Sequence, residues 1–163
     1  MTRRKPVRRP SRPAHRSARG PARATRPAAK PAAQKIPTAL LVIGHGSRVV
    51  DANKVLDQVA VALRREFRGL VVEACFLDIA QPDVQAGLDR CVTQGARRVL
   101  FVPYFLYLGG HVGRDLPDHI IQGRDRHPGL EIRIAPHLGF DRRVVGVASD
   151  RIRHGLKAGG WSS

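Results

Sequence analysis

The sequence is poor in cysteines, in aromatic residues and in long apolar runs. Among 163 residues there are two cysteines, one tryptophan, two tyrosines and five phenylalanines. Cys75 and Cys91 lack the close spacing of a zinc site, which predicts two buried thiols. The longest apolar run, 99–108, has about half the length that spans a bilayer and contains Pro103. These shortages exclude a membrane span, and we expect a soluble protein in a reducing compartment, the cytoplasm.

Acidic residues are missing from positions 1–36, which hold 12 of the 29 lysines and arginines. The other 17 basic residues (29 minus 12) share positions 37–163 with all 13 acids, so this part carries only +4. Because 1–36 is mostly arginine, alanine and proline, it cannot bury enough apolar surface to offset its ordering entropy. The sequence therefore predicts a disordered basic extension over 1–36.

Three roles for this extension stay open. Its charge suits contact with nucleic acid or anionic membranes, but no aromatic residues lie between the bases to stack on nucleotides, which disfavours nucleic acid. An arginine-rich, acid-free segment also resembles an organelle transit peptide, although its prolines disfavour the helix that such peptides form. The third interpretation is a solvated extension with no essential role. No secretory signal is visible, since no apolar stretch follows the arginines.

From Thr38 onward, short apolar runs alternate with amphipathic stretches, which predicts one domain over 37–158 and a short tail over 159–163. The predicted strands are 39–43, 71–77, 99–105 and 131–135. The predicted helices span 51–67, from Pro82 to near Gly95, from Asp115 and Pro117 to before Pro128, and 141–156. Because the strands are continuous apolar runs, they predict a parallel sheet covered on both faces. We expect an α/β fold, a three-layer α/β/α sandwich with a four-stranded parallel sheet in flavodoxin-like order.

Histidines and one carboxylate follow the predicted strands. His45, Asp78, His111 and His137 come after the first, second, third and fourth strands in turn. In open parallel sheets, ligands bind beyond these carboxyl ends. Imidazoles beside a carboxylate make a mixed nitrogen and oxygen site suited to first-row divalent metals. The pattern therefore predicts a metal-handling site at this edge of the sheet.

The first loop does not match other loops of known chemistry. Gly44-His45-Gly46-Ser47 lacks the second glycine of the hydrolase elbow and the Gly-Lys-Ser/Thr of a P-loop. A phosphohistidine phosphatase would have arginine directly before the His-Gly pair, where this chain has Gly44. Glycines on both sides of His45, and Gly109 and Gly110 before His111, permit close approach of a ligand.

Seven motifs in order resemble the sirohydrochlorin chelatase family of class II chelatases, the CbiX/SirB type. They are IGHGSR at 43–48, CFLD at 75–78, QP at 81–82, GARRV at 95–99, VPYFL at 102–106, GGHV at 109–112 and DLP at 115–117. The resemblance covers essentially all of 38–155 and leaves out the basic extension. It implies ATP-independent insertion of Co²⁺, Fe²⁺ or Ni²⁺ into sirohydrochlorin-type tetrapyrroles, in cobalamin or sirohaem biosynthesis.

The resemblance also implies catalytic and metal-binding residues. His45 and His111 match the two active-site histidines, and Asp78 stands where many members have glutamate. Asp78 keeps the carboxylate but is one methylene shorter, and Glu73 is a weaker substitute. The divalent metal is a substrate, and no organic cofactor is expected. Because short members resemble half of a longer two-domain chelatase, a homodimer is implied.

Candidate residues for substrate binding lie in the same loops. Sirohydrochlorin-type substrates carry many carboxylates, for which arginine is the natural bidentate partner. The candidates are Arg48, Arg114, Ser47, Gly110, Tyr107 and His137. Tyr104, Phe105, Tyr107 and Leu108 are expected against the ring face, with core packing an equal alternative for Phe105 and Leu106. A metal chaperone or storage protein would use the same ligands without turnover, and the ligand types do not select one metal.

Overall fold

A computed structural model of the chain describes residues 37–107, 109–110 and 112–161. The eight elements in chain order are β1 (Thr38–Gly44), α1 (Val50–Glu66), β2 (Val71–Phe76), α2 (Val84–Thr93), β3 (Arg98–Pro103), α3 (Val112–Arg126), β4 (Glu131–Ile134) and α4 (Arg142–Ala158). The predicted extension over 1–36 and the last two residues of the predicted tail lie outside the described residues. No helix in the described part is long and apolar enough to cross a membrane.

The four strands form one parallel sheet in the order β2-β1-β3-β4. This arrangement confirms the predicted parallel sheet and its flavodoxin-like order. In the register, Gly44 lies opposite Phe76 of β2, and Ile43 opposite Pro103 of β3. Strands β1, β2 and β3 therefore end level with one another, and the loops that follow them start from one edge.

Apolar side chains pack on both faces of this sheet. On one face, Leu88 of α2 and Leu116 of α3 pack with Leu41 and Phe101 of the sheet. On the other face, Leu56 of α1 packs with the strand residues of opposite parity. Burial of these side chains, each contributing about 1.5–3 kcal/mol when fully buried, holds the helices against the sheet.

The buried residues on the face covered by α2 and α3 form the first core. Both cysteines lie inside it, as predicted for buried thiols. Burial raises the pKa of the Cys91 thiol to about 12, with nearby Glu73 adding to the effect. Burial also raises the pKa of the Cys75 thiol, with Cys91 and Asp83 adding to the effect. Burial disfavours the charged thiolate form of both side chains, which agrees with a structural role in the core.

The helical spacing of apolar residues over 51–67 predicts one stripe that faces the core, made of Val55, Leu56, Val59, Leu63 and Phe67. The structure buries a narrower stripe of α1. Leu56 and Ala60 are buried, and Val59 and Leu63 pack beside them. Val55 and Phe67, predicted on the same stripe, are 56% and 43% exposed. The prediction for these two was wrong because α1 covers only β1 and β2. Side chains at the two sides of its apolar stripe therefore have no strand beneath them.

Two helices begin at positions other than those predicted. Helix α2 starts at Val84, because Asp83 is its N-cap and accepts a hydrogen bond from the Ala86 N–H at 2.8 Å. Pro82 thus precedes the cap instead of lying in the first turn. Helix α3 starts at Val112, three residues before Asp115, and contains Pro117.

Helix α4 forms close to where it was predicted, with Asp141 as its N-cap accepting from the Arg143 N–H at 2.8 Å. Hydrogen bonds from the Arg143 side chain and backbone lower the pKa of the Asp141 carboxyl to about 2. None of the α4 side chains is buried, and none belongs to either core cluster. The apolar residues of α4 recur at helical spacing, as the sequence predicts, but none of them is buried.

Asp89 of α2 ties that helix to the end of α3. Its carboxylate accepts from Arg126 Nη2 at 2.6 Å and lies 2.7 Å from His127 Nε2. Partial burial alone would raise the pKa of Asp89, but the hydrogen bonds from Arg126 and His127 outweigh it and lower this pKa below 3.8.

We expect Asp89→Asn to destabilise the domain by about 1 kcal/mol at neutral pH. A carboxyl whose folded pKa is lowered stabilises the fold above its unfolded pKa, and this stabilisation is lost as pH falls through the folded value. The difference in unfolding free energy between wild type and variant should therefore shrink below about pH 4. Urea unfolding at several pH values measures it, with Asp125→Asn as control; a difference independent of pH would contradict the assignment.

Candidate functional site

Main-chain hydrogen bonds join the loops at the carboxyl edge of the sheet. Beyond the end of β2, the Leu77 N–H donates to Gly44 O at 2.8 Å and the Asp78 N–H to His45 O at 3.0 Å. On the other side of β1, the Tyr104 N–H donates to Ile43 O at 2.9 Å. The loops after β1, β2 and β3 therefore continue the pairing of the strands. This ladder brings the predicted residues His45 and Asp78 side by side.

Gly46 allows the first loop to lie against the second. Its φ is +96°, a conformation that side chains rarely adopt. A Cβ at this position would overlap the carbonyl oxygen of Asp78 and would lie 3.3 Å from Cβ of Ala80. A glycine is therefore required here by both φ and close approach. At Gly109 and Gly110, in contrast, an added Cβ meets no atom of the described residues within 4 Å.

A side chain from α1 holds the first loop in shape. Asn53 Oδ1 accepts from the Ser47 N–H at 2.9 Å, and Asn53 Nδ2 donates to Ser47 O at 2.9 Å. The Ser47 hydroxyl accepts from the Val49 N–H at 3.1 Å. Ser47 thus supports the turn between β1 and α1. The sequence reasoning missed Asn53; the signal available was an amide six residues after Ser47 in the first turn of a predicted helix.

We expect Asn53→Ala to lower the free energy of unfolding by about 1–2 kcal/mol, because two part-buried hydrogen bonds are lost together. The matched variant Asn53→Asp keeps the acceptor for the Ser47 N–H but loses the donor to Ser47 O. Its loss of stability should be intermediate. Urea titrations of the three proteins measure the difference, and equal stability of Asn53→Ala and wild type would contradict a clamping role.

The side chains of His45 and Asp78 are both exposed at this edge. The Asp78 Oδ1 atom accepts from the Ile79 N–H at 2.8 Å, and Ile79 has a φ of +63°. Asp78 therefore closes a tight turn with one carboxylate oxygen. The second predicted histidine, His111, lies outside the described residues. Within the described ranges no group of three or more histidine, cysteine or acidic side chains could hold a metal ion.

The segment after β3 divides between core and surface. Phe105 packs against the first core, which agrees with the core alternative, whereas Leu106 is 52% exposed. Tyr104 and Tyr107 are 39% and 80% exposed, so both rings are available to a ligand. Leu108 lies outside the described residues.

The candidate residues at the start of α3 and after β4 lie at the same edge. Arg114 is exposed, and its Nε donates to Gly110 O at 3.1 Å, which ties the arginine to the loop before α3. The Leu138 N–H donates to Phe105 O at 3.0 Å, so the loop after β4 lies beside the loop after β3. His137 is half-buried in this fourth loop.

A groove of about 630 Å³ lies beside the first two loops. Its lining includes Ser47, Arg48, Phe76, Ile79 and Pro82. Of the two predicted arginines, Arg48 borders this groove. Lys54 of α1 also lines it and adds a second positive charge that the sequence reasoning did not select.

Glu73, the weaker substitute for Asp78, is directed elsewhere. Its Oε1 accepts from Gln94 Nε2 at 2.8 Å. Gln94 is the C-cap of α2, and helices that connect parallel strands end near the amino edge of the sheet. The prediction of Glu73 as a substitute was wrong, because its carboxylate points away from the His45 loop.

Comparison with known proteins agrees with this arrangement. The family model described as CbiX matches residues 39–155, which is the sheet except for Thr38 and all helices except the end of α4. The chain belongs to the CbiX family. This confirms the resemblance that the seven motifs indicate, and the CbiX match begins in β1, directly after the segment predicted as an extension.

Curated relatives are of two lengths. The chain is 34% identical over 117 residues to a sirohydrochlorin ferrochelatase of Priestia megaterium, covering 70% of this chain and 43% of that protein. It is 28% identical over 123 residues to a sirohydrochlorin cobaltochelatase of Sulfolobus acidocaldarius, covering 76% of this chain and 96% of that protein. The chain thus spans less than half of the longer relative and nearly all of the shorter one.

Solved structures share the fold. SirB from Bacillus subtilis subspecies spizizenii, in complex with cobalt, superposes with a TM-score of 0.67 at 30% identity, covering 72% of this chain and 50% of SirB. A CbiX protein from Marinobacter aquaeolei superposes with a TM-score of 0.64 at 22% identity, covering 76% and 98%. Both confirm the three-layer α/β fold of the family.

Proposed function

We propose that this CbiX-family chain inserts a divalent metal ion into a sirohydrochlorin-type tetrapyrrole without ATP. The observation that carries the proposal is the main-chain pairing of the His45 and Asp78 loops at the carboxyl edge of the sheet. Relatives that are 28–34% identical to it over 117–123 aligned residues are sirohydrochlorin ferrochelatases and cobaltochelatases. The metal, Co²⁺, Fe²⁺ or Ni²⁺, is a substrate in this reaction, and no organic cofactor is required.

The residue types suit the steps of insertion. The metal ion must lose water ligands, and the macrocycle must lose two pyrrole N–H protons. His45, with His111 assigned by the family motif, holds the ion transiently and accepts protons. Asp78 balances charge or relays a proton, using the carboxylate oxygen that is not bonded to the Ile79 N–H. Because the ion has to leave for the ring, a small set of ligands with open positions favours turnover.

Around this centre, six residues are proposed to bind the macrocycle. Arg48 and Arg114 pair with substrate carboxylates, and exposed Tyr107 contacts the ring. Ser47 shapes the first loop, Gly110 leaves room beside the second, and His137 lines the cleft from β4. The exposure of Arg48 at the 630 Å³ groove supports its role.

The active unit is proposed to be a homodimer in the cytoplasm, built from a domain over 37–158. Longer relatives have about twice the length matched by this chain, whereas shorter chelatase relatives are covered over 94–97% of their length. A second copy would supply the half that the longer relatives carry in one chain. The end of α4 at Ala158 supports the proposed domain boundary.

The test is anaerobic incubation of the purified chain with sirohydrochlorin and Co²⁺, Fe²⁺ or Ni²⁺, followed by absorption spectroscopy. We expect metal insertion faster than the uncatalysed rate, with no effect of added ATP. Metal binding without acceleration would overturn the proposal and indicate a chaperone or storage protein. Comparing the rates for the three metals then identifies the preferred one.

A further inference from the structure

Ile79 has a backbone conformation that isoleucine rarely adopts. Its φ is +63°, and every other residue with a positive φ in the described part of the chain is a glycine. The Ala80 N–H donates to Asp78 O at 2.6 Å, so residues 78–80 form a γ-turn with a positive φ at its centre. This type of turn is rare and strained, and a β-branched residue makes it less favourable still. Isoleucine is therefore a worse choice than glycine for the stability of this turn.

The fold makes little use of the Ile79 side chain. It is 54% exposed and belongs to neither of the two core clusters of the described residues. The contacts that the turn supplies come from other atoms, since Asp78 Oδ1 accepts from the Ile79 N–H and Asp78 O lies against Gly46. Glycine or asparagine would preserve these contacts with less strain. A strained residue that the core does not need indicates a role toward a ligand.

The surroundings of Ile79 suit a ring that is apolar on its face and acidic at its rim. Ile79 lines the 630 Å³ groove beside the first two loops, together with Phe76 and Pro82. Arg48 borders the same groove with a positive charge. A tetrapyrrole can lie on the apolar side chains while one of its carboxylates pairs with the arginine. Asp78, which is proposed to take part in insertion, is the residue directly before Ile79.

We propose that Ile79 is a substrate-contacting residue, whose side chain packs on the face of the tetrapyrrole beside Asp78. The inference rests on the proposed function and deepens it, because it names a determinant of affinity for the macrocycle. Ile79 lies between two of the seven motifs and belongs to neither of them. Contact with the ring gives the isoleucine side chain the use that the fold does not.

The basic extension is a poor alternative occupant of this groove. Positions 1–36 hold 12 basic residues and no acid, so they are repelled by Arg48 and by Lys54, which also lines the groove. The large apolar residues of the extension are limited to Met1, Val7 and Ile36, which offers little to pack on Ile79. A carboxylated ring matches both the charge and the apolar wall.

Titration of the metal-free chain with sirohydrochlorin, followed by absorption spectroscopy, tests the contact independently of turnover. Ile79→Asn tolerates a positive φ and keeps the N–H that Asp78 Oδ1 accepts, but removes the apolar side chain. We expect its Kd for sirohydrochlorin to rise roughly tenfold, the effect of losing an apolar contact of this size. Its Tm should rise by about 2–4 °C, because strain is relieved. Ile79→Leu keeps an apolar side chain and should bind about as tightly as the wild type.

Ile121→Asn is the matched control. Ile121 is 58% exposed and lies on α3, which covers the other face of the sheet, so its replacement should leave the Kd unchanged. An unchanged Kd for Ile79→Asn, or an equal loss of affinity in Ile79→Leu, would overturn the proposal. A lower Tm of Ile79→Asn would also overturn it, because the fold would then need the side chain. So would a halved mass in light scattering, which would make Ile79 a contact between two copies.

The outcomes for this inference and for the proposed function are separate. Because binding is measured without metal, a normal Kd for Ile79→Asn in a chain that inserts metal would refute the contact alone. Weakened binding by the variant, in a chain whose wild type binds sirohydrochlorin without accelerating insertion, would refute the proposed function alone.

Discussion

Replacing His45 with alanine is expected to slow metal insertion by about 100-fold or more, the size of effect typical of a lost acid–base group. The imidazole is exposed at the carboxyl edge of the sheet, beside the Asp78 loop, which is the place proposed for the ion and the ring. The hydrogen bond between the two loops uses the His45 carbonyl oxygen, which alanine retains. The free energy of unfolding should therefore change by less than about 0.5 kcal/mol.

Initial rates of insertion, with the unfolding free energy measured in parallel, check this expectation. His154→Ala is the matched control, because it removes an exposed histidine from α4, away from the sheet edge. A rate for His45→Ala within twofold of the control would exclude His45 from the chemistry. If the variant unfolds instead, the loss of rate says nothing about catalysis, and His45→Gln then replaces it in the same comparison.

Changing Gly46 to alanine is expected to cost about 3 kcal/mol of stability and most of the activity. Two physical terms combine at this position. A φ of +96° is unfavourable for alanine, and the new methyl group would overlap the Asp78 carbonyl oxygen. The clash can be relieved only by moving the His45 loop away from the Asp78 loop, which separates the two candidate catalytic groups.

Gly69 provides a control for the cost of the positive φ alone. Its φ is +92°, almost the same as that of Gly46, but within the part of the chain that the structure describes an added Cβ would meet no atom within 4 Å. Gly69→Ala should therefore show only the conformational cost, roughly 1–2 kcal/mol, with unchanged activity. Thermal or urea unfolding of both variants measures the difference, and equal losses would mean that the close contact between the two loops contributes nothing.

Much of the fold followed from the pattern of apolar residues. Continuous apolar runs such as 39–43 and 99–105 predicted buried parallel strands, and β1 and β3 are found there as neighbours. The ends of helices were less accurate, because caps depend on side chains such as Asp83 that bond to main-chain groups a few residues away. The stripe on α1 was too wide at Val55 and Phe67, because the sequence does not show how much sheet lies beneath a helix.

The candidate site divides in the same way. Placing His45 and Asp78 after strands 1 and 2 required only the alternation of elements, and the main-chain bonds then pair their loops. The roles of His45, His111 and Asp78 remain predictions that the family motifs support. The hydrogen bonds of Asn53 with Ser47 and of Glu73 with Gln94 could not be predicted, because each depends on the direction of one side chain.

The sequence by itself determined the family, the parallel sheet and the choice of His45 and His111, because local apolar periodicity and ordered motifs carry that information. Only the tertiary structure decided that Gly46 must be glycine and that the Asn53 side chain holds the first loop in its conformation. The first feature depends on the approach of Asp78, 32 residues farther along the chain, which exists only after β1 and β2 have paired in register. The second depends on the direction of one side chain, which apolar periodicity and motifs do not specify.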